Sequence, residues 1–248
     1  MSIIRRITVF RRKYIIRSLK YLIVLILIPL VLTIIWFRNG LILGGGEEGL
    51  IFYNPLKSLE ISQSTWAEIN TGLPNLYWLP RVLFLIPASI LVNNFGLPSY
   101  LAQAGLFFIL MVVGVVSIYY LTVNLFEDYS SRFLIAFTTS IFYLFNPFSA
   151  SQIWGRGIYP FYFSFALLPL SLLLLLKGLK SKQLIYVPLL VLSSVIFSNA
   201  FGTVTFAITY WVVLFLFTLW WFFVNRFRKN EIFFGCLILV TFFMAWFV

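Results

Sequence analysis

Six long stretches of this chain carry no formal charge: residues 21–37, 82–126, 133–155, 157–176, 183–225 and 232–248 contain no Asp, Glu, Lys or Arg. A helix needs about 20 apolar residues to cross roughly 30 Å of hydrocarbon, so each run is long enough, or nearly so, to span a bilayer. A soluble domain of 248 residues could not hide a composition that is 62% hydrophobic and only 10% charged. The sequence therefore reads as an integral membrane protein.

Two runs are too long for one span. The run 183–225 breaks at Ser198-Asn199-Ala200-Phe201-Gly202, and the run 82–126 breaks at Asn93-Asn94-Phe95-Gly96-Leu97-Pro98. The piece before the second break, residues 82–92, would be only about 16 Å long as a helix, and Pro87 interrupts it. It reads as a segment lying on, or dipping into, the outer interface.

Charge decides the orientation. A net charge of +11 would point to nucleic acid in a soluble protein, but here the basic residues sit in short runs between apolar stretches. If 82–92 does not span, fourteen Lys/Arg fall on the cytoplasmic side and four outside (Arg38, Lys57, Arg81, Arg156). If it spans, the split is eight against ten. The first arrangement obeys the positive-inside rule.

The expected fold is thus an all-α polytopic membrane protein, a single transmembrane domain over 1–248 with seven helices at about 20–37, 99–126, 132–147, 159–176, 184–199, 203–224 and 232–248. Residues 1–19 form a basic cytoplasmic segment, 38–98 a long first outer loop with short interfacial helices, and 146–160 a second outer loop. The first helix reads as an uncleaved anchor, because no small-residue cleavage site follows Phe37. No internal repeat is visible.

The chain has no histidine, which excludes His-based acid/base catalysis, His-ligated haem and His-containing zinc sites. Its single cysteine, Cys236, excludes an intramolecular disulfide or a Cys-cluster metal site, and reads as a buried packing residue.

Transporters and pumps keep ionisable groups inside the membrane, and these spans hold none. Glu47, Glu48, Glu60 and Glu68 all lie in the first outer loop, which places any acid/base chemistry on the outer face. Within that loop Gly44-Gly45-Gly46-Glu47-Glu48-Gly49 lets the backbone approach a ligand while projecting two carboxylates. The plain alternative is a solvated acidic turn. The aromatic stretch around Tyr53, Trp66, Tyr77 and Trp78 reads equally as an interfacial belt. Arg156, the one basic residue of the second outer loop, suits a lipid phosphate or a loop carboxylate; its alternative is a side chain snorkelling to head groups. Arg81 repeats the idea at the end of the first loop. The N-terminal basic cluster sets topology and touches anionic lipid.

The order of these features resembles the GT-C superfamily of membrane glycosyltransferases, and within it the N-terminal membrane module of arabinofuranosyltransferase-like proteins and related large bacterial and archaeal membrane proteins. The Gly44 to Gly49 turn with Trp66 and Gly72, the Phe145-Asn146-Pro147 corner, and Leu168-Pro169-Leu170 before a basic inner loop carry the likeness. It spans most of the chain on short motifs. Where many members have Asp in the acidic turn, this chain has two Glu residues.

The resemblance implies a polyprenyl-phosphate-linked sugar donor, used on the outer face of the cell membrane, and a glycan or protein acceptor. It places the catalytic carboxylate on Glu47 or Glu48, and it implies that the chain is the N-terminal module of a longer protein. Arg156 would hold the donor phosphate, with Arg81, Asn146, Trp66 and Trp154 completing the candidate substrate-binding set; for the two tryptophans lipid packing competes with sugar stacking. No cofactor is required, and a divalent cation on the glutamate pair would need further oxygen ligands. Membrane lipid is the expected surrounding partner and nucleic acid is not one. The rival from another class is a non-catalytic subunit of a membrane complex, with Gly105, Gly114 and Ser117 offering a small-residue packing face. A lipid-carrier transporter is a third reading, opposed by the absence of buried ionisable groups and inverted repeats.

Overall fold

The computed structural model describes residues 3–43, 51–64, 66–67, 73–74, 79–202, 204–225, 235–236 and 238. Those residues are mostly helical, and the strands among them are a two-residue antiparallel pairing of β1 (Trp66–Ala67) with β2 (Leu73–Pro74). The helices are α1 (Ile3–Phe37), α2 (Pro55–Gln63), α3 (Val82–Ser89), α4 (Ser99–Leu125), α5 (Arg132–Phe145), α6 (Tyr159–Ser181), α7 (Tyr186–Ile196) and α8 (Val204–Val224). Short 3-10 turns at Leu79–Arg81 and Ser198–Phe201 and π segments at Ile90–Asn94 and Ser149–Gly155 join them.

Among the described residues five helices are long and apolar enough to cross a membrane, and they fall on the expected first, second, third, fourth and sixth spans. The α6 helix runs beyond the expected boundary at 176 to Ser181, carrying Lys177 and Lys180 as its last turns leave the apolar zone. Two expected spans differ. The one at 232–248 lies outside the described residues apart from three positions. The one at 184–199 is only an eleven-residue α-helix, α7, followed by the 3-10 turn.

Contacts order the bundle. Phe37 packs edge-on against Phe107 at one end (5.7 Å between ring centroids), and Tyr119 Oη donates to Ser18 Oγ at the other (3.2 Å), so α1 and α4 are antiparallel. Phe107 meets Tyr162 at 4.2 Å and Lys180 Nζ donates to the Asn124 carbonyl at 2.6 Å, so α4 and α6 run parallel. The short α5 crosses α4 diagonally, touching α1 through Tyr21 and Phe137 (5.2 Å) and α6 through Tyr143 and Phe165 (4.4 Å).

Burial separates centre from rim: 67% of the apolar window of α6 is buried, against 17% for α1 and 22% for α8. Gly114 makes the tight α4–α6 approach possible. A Cβ there would run into the Phe165 ring and sit 3.0 Å from the Phe165 carbonyl oxygen. Gly114 and Ser117 are buried inside this chain, so they are not the external packing face expected of them; Gly105, with nothing within 4 Å of its Cβ position, is exposed.

The two ends of the bundle differ. Arg132, Lys177, Lys180 and Lys182 gather at the basic end, where Lys180 Nζ lies 3.1 Å from Glu127 Oε2 and Arg132 Nη1 donates to the Glu127 carbonyl at 2.7 Å. The other end is capped by α2, the 79–81 turn and α3. Asn54 starts α2 by accepting from Lys57 N (3.0 Å), with Pro55 in the first turn where no donor is lost. The α3 helix and its π extension total thirteen residues, about 20 Å, and continue through Pro87, which was expected to interrupt them. Ile51, Phe52, Leu59, Phe84, Leu85 and Ala88 of the cap belong to the same hydrophobic core as the bundle. The cap is therefore part of the domain.

Cys236 is exposed, contrary to the buried packing role expected from its apolar run. Gly235 and Ile238, on either side of it, are buried, so Cys236 points away from the face that packs on the bundle.

Candidate functional site

At the capped end α1 stops at Phe37, and Gly40, at φ +68, turns the chain back over the bundle. The returning strand of chain reaches α4 at Leu43. There the carboxamide of Gln103, wholly buried, behaves like a neighbouring strand: its Oε1 accepts from Leu43 N at 2.8 Å and its Nε2 donates to Leu43 O at 2.7 Å. The second Nε2 hydrogen goes to Tyr159 Oη, also at 2.7 Å. Both donors of the amide are thereby used, which fixes its orientation, because the flipped amide would set N–H against the Leu43 N–H.

Tyr159 is 1% exposed, and its ring packs in a three-ring cluster with Phe52 (5.9 Å) and Phe84 (5.8 Å), which also touch each other (6.4 Å). Leu43 and Phe52 flank the segment that holds the acidic turn. Gln103 and Tyr159 thus tie both flanks to one place on α4 and α6, from positions 60 and 56 residues apart in the sequence. Beside them a cavity of about 160 Å³ is lined by Trp36, Leu43, Phe107 and Tyr162. Its walls come from α1, the returning chain, α4 and α6. It exists because α5, in contact with α1 near Tyr21, has crossed to α6 by Tyr143 and leaves the upper part of α1 apart from α6.

The expected catalytic residues Glu47 and Glu48 lie outside the described residues, as do the side chains of Trp66 and Trp154. Arg81 is 1% exposed, the largest fully buried side chain. Its turn packs between α2 and the 198–201 turn, where Ser198 Oγ donates to the Pro80 carbonyl at 3.1 Å. Two more buried polar groups sit on those neighbours. Ser62 Oγ, and both amide atoms of Asn199, have no hydrogen-bond partner among the described residues. Asn199 faces the start of α6, since a Cβ at Gly202 would lie 3.6 Å from its Oδ1 and 3.3 Å from Pro160 Cγ.

Arg156 is exposed, its guanidinium carbon 6.0 Å from the Phe161 ring centroid. Phe161 packs against Phe206 of α8 (4.4 Å) and Phe148 (6.3 Å), so Arg156 stands over the α8 side of α6 and is not among the residues lining the cavity. Asn146 acts locally, donating to Tyr143 O (2.8 Å) and Ser149 Oγ (2.9 Å) and accepting from Ser149 N (3.0 Å), which closes the corner after α5. Glu60 pairs with Lys57 at 3.4 Å on the exposed face of α2. Among the described residues no three acidic or thiol groups gather to hold a metal.

Sequence reasoning passed over Gln103, Tyr159 and Asn199. The signal for Gln103 was an amide side chain in the first turns of an apolar helix, where it must find partners or be strongly destabilising. No family model, curated protein or solved structure matches the chain.

Proposed function

We propose that the chain is the membrane module of a glycosyltransferase, moving a sugar from a polyprenyl-phosphate donor to an acceptor at the outer face of the cell membrane. The capped end is read as outward and the basic end as cytoplasmic, following the positive-inside rule. The observation that carries the reading is the anchoring of Leu43 and Phe52, the two flanks of the acidic turn, beside an aromatic-lined cavity. A carboxylate pair on a merely solvated loop has no need of such fixed ends.

In this reading Glu47 or Glu48 removes the acceptor hydroxyl proton as the sugar passes through an oxocarbenium-like state. Arg156, exposed over Phe161 on the α8 side of α6, is left with a contact to lipid phosphate at the membrane surface. The chain reconstituted in nanodiscs with polyprenyl-phosphate sugars tests this. The Glu47→Gln/Glu48→Gln double variant is expected to lose transfer by roughly a hundredfold or more; full retention would remove the assignment.

A second reading, a non-catalytic subunit, is favoured by the exposed Gly105, since small residues on a helix surface let another helix approach closely. Cross-linking from Gly105→Cys to another chain in native membranes, together with no transfer activity, would establish it.

A further inference from the structure

We infer that Lys177 and Tyr120 bind the phosphate of an anionic phospholipid in the leaflet at the basic end of the bundle, with one acyl chain lying along α4. The site stands whatever chemistry the capped end performs. Lys177 and Lys180 lie one turn apart near the end of α6, and the fold treats them differently. Lys180 Nζ is satisfied twice, by Glu127 Oε2 at 3.1 Å and by the Asn124 carbonyl at 2.6 Å. Lys177, half-buried and nearer the apolar zone, has no carboxylate partner among the described residues; its Nζ stands 6.0 Å from the centroid of the Tyr120 ring.

A ring face alone is a weak partner for an ammonium at the edge of the hydrocarbon. A lipid phosphate supplies the full counter-charge, at the depth to which a lysine stem snorkels. Tyr120 is 37% exposed, so the two side chains meet on the outside of the bundle, and the phenol hydroxyl is a second donor for the same group. At this end Lys20, Arg132, Lys177, Lys180 and Lys182 outnumber Glu127 and Asp128, which favours an anionic head group over a zwitterionic one.

Tyr120 also ends a surface stripe. Gly105, Ile109, Val113, Val116 and Tyr120 recur at spacings of three and four residues and so line one side of α4. All five are uncharged and exposed or half-exposed, Ile109 at 54%. From Ile109 to Tyr120 the stripe runs about 16 Å, the depth of one leaflet in a hydrocarbon core of roughly 30 Å. It gives an acyl chain a path that starts beneath the phosphate.

The purified full chain, titrated with phosphatidylglycerol or phosphatidylcholine and read by native mass spectrometry, tests this. Lys177→Gln is expected to weaken phosphatidylglycerol binding about fivefold and to leave phosphatidylcholine within about twofold. Lys177→Arg should restore binding, which separates a lost charge from a disturbed fold. Lys20→Gln removes the same charge from α1 at the same end and should stay within about twofold of wild type. Phosphatidylglycerol with a photoreactive group midway along one acyl chain is expected to label the α4 peptide that carries Ile109 and Val116. Inorganic phosphate should not compete, because it lacks the chain.

Equal losses in Lys177→Gln and Lys20→Gln overturn the inference in favour of a diffuse basic field. So do unchanged binding in Lys177→Gln, no rescue by Lys177→Arg, labelling elsewhere than α4, or displacement of the lipid by inorganic phosphate. Cross-linking of Val116→Cys to a second polypeptide in native membranes also overturns it, because a helix would then cover the stripe.

Discussion

Tyr143 Oη donates at 2.8 Å to the carbonyl of Phe165, the acceptor that Pro169, four residues on, leaves without its helical partner. Proline lacks the N–H that would close that turn, and in hydrocarbon no water replaces it. The hydroxyl of a crossing helix does so here. Tyr143→Phe is expected to destabilise the bundle by about 1 kcal/mol. Adding Pro169→Ala, which restores a backbone donor to Phe165, should recover most of that loss, and a double-mutant cycle in thermal unfolding measures the coupling.

The two glycines of α4 are expected to respond oppositely. Gly114→Ala drives a methyl into Phe165, and overpacking of this kind destabilises by about 1–3 kcal/mol. Gly105→Ala meets nothing within 4 Å and should be neutral or stabilising by up to about 1 kcal/mol through helix propensity. Melting of the two purified variants checks the sign of each.

Asn199 is 1% exposed, with neither amide atom hydrogen-bonded among the described residues. Replacing an unsatisfied buried amide by an apolar group of similar shape removes a penalty of about 1–3 kcal/mol. Asn199→Leu is therefore expected to raise the melting temperature. A fall in stability would mean that the amide is satisfied by something bound at the cap.

At the basic end, Lys180 is 27% exposed and Glu127 55%. Solvent and salt screen such a pair, so Glu127→Gln should change stability by no more than about 0.5 kcal/mol, and less at high salt. Lys180→Met should be the more damaging change, because Lys180 also donates to the Asn124 carbonyl in the last turn of α4.

The charge-free runs made α1, α4, α5, α6 and α8 legible, because a bilayer forces the backbone of any such run into helix. The breaks at 93–98 and 198–202 were legible from their turn residues, whereas Pro87, expected to interrupt 82–92, lies inside α3, which continues through it. What periodicity could not reveal was pairing across distance. Nothing local links Gln103 to Leu43, or distinguishes Arg81, enclosed between α2 and the 198–201 turn, from Arg156, exposed over Phe161. The same holds for Asn146, whose place in a motif gave it a binding role while its hydrogen bonds all close a corner.

The brevity of α7 bears on what holds it in place. A Cβ at Gly178 would lie 3.2 Å from Tyr186 Cβ, and Ser164 Oγ donates to the Ala200 carbonyl at 3.3 Å, so α7 and its 3-10 turn run antiparallel to α6 along its stretch from Ser164 to Gly178. That piece also carries Ser193, Ser194, Ser198 and Asn199. So short and polar a stretch depends on α6 for its burial, because Leu190, Ser193, Ser194, Asn199 and Ala200 are covered only in the folded bundle.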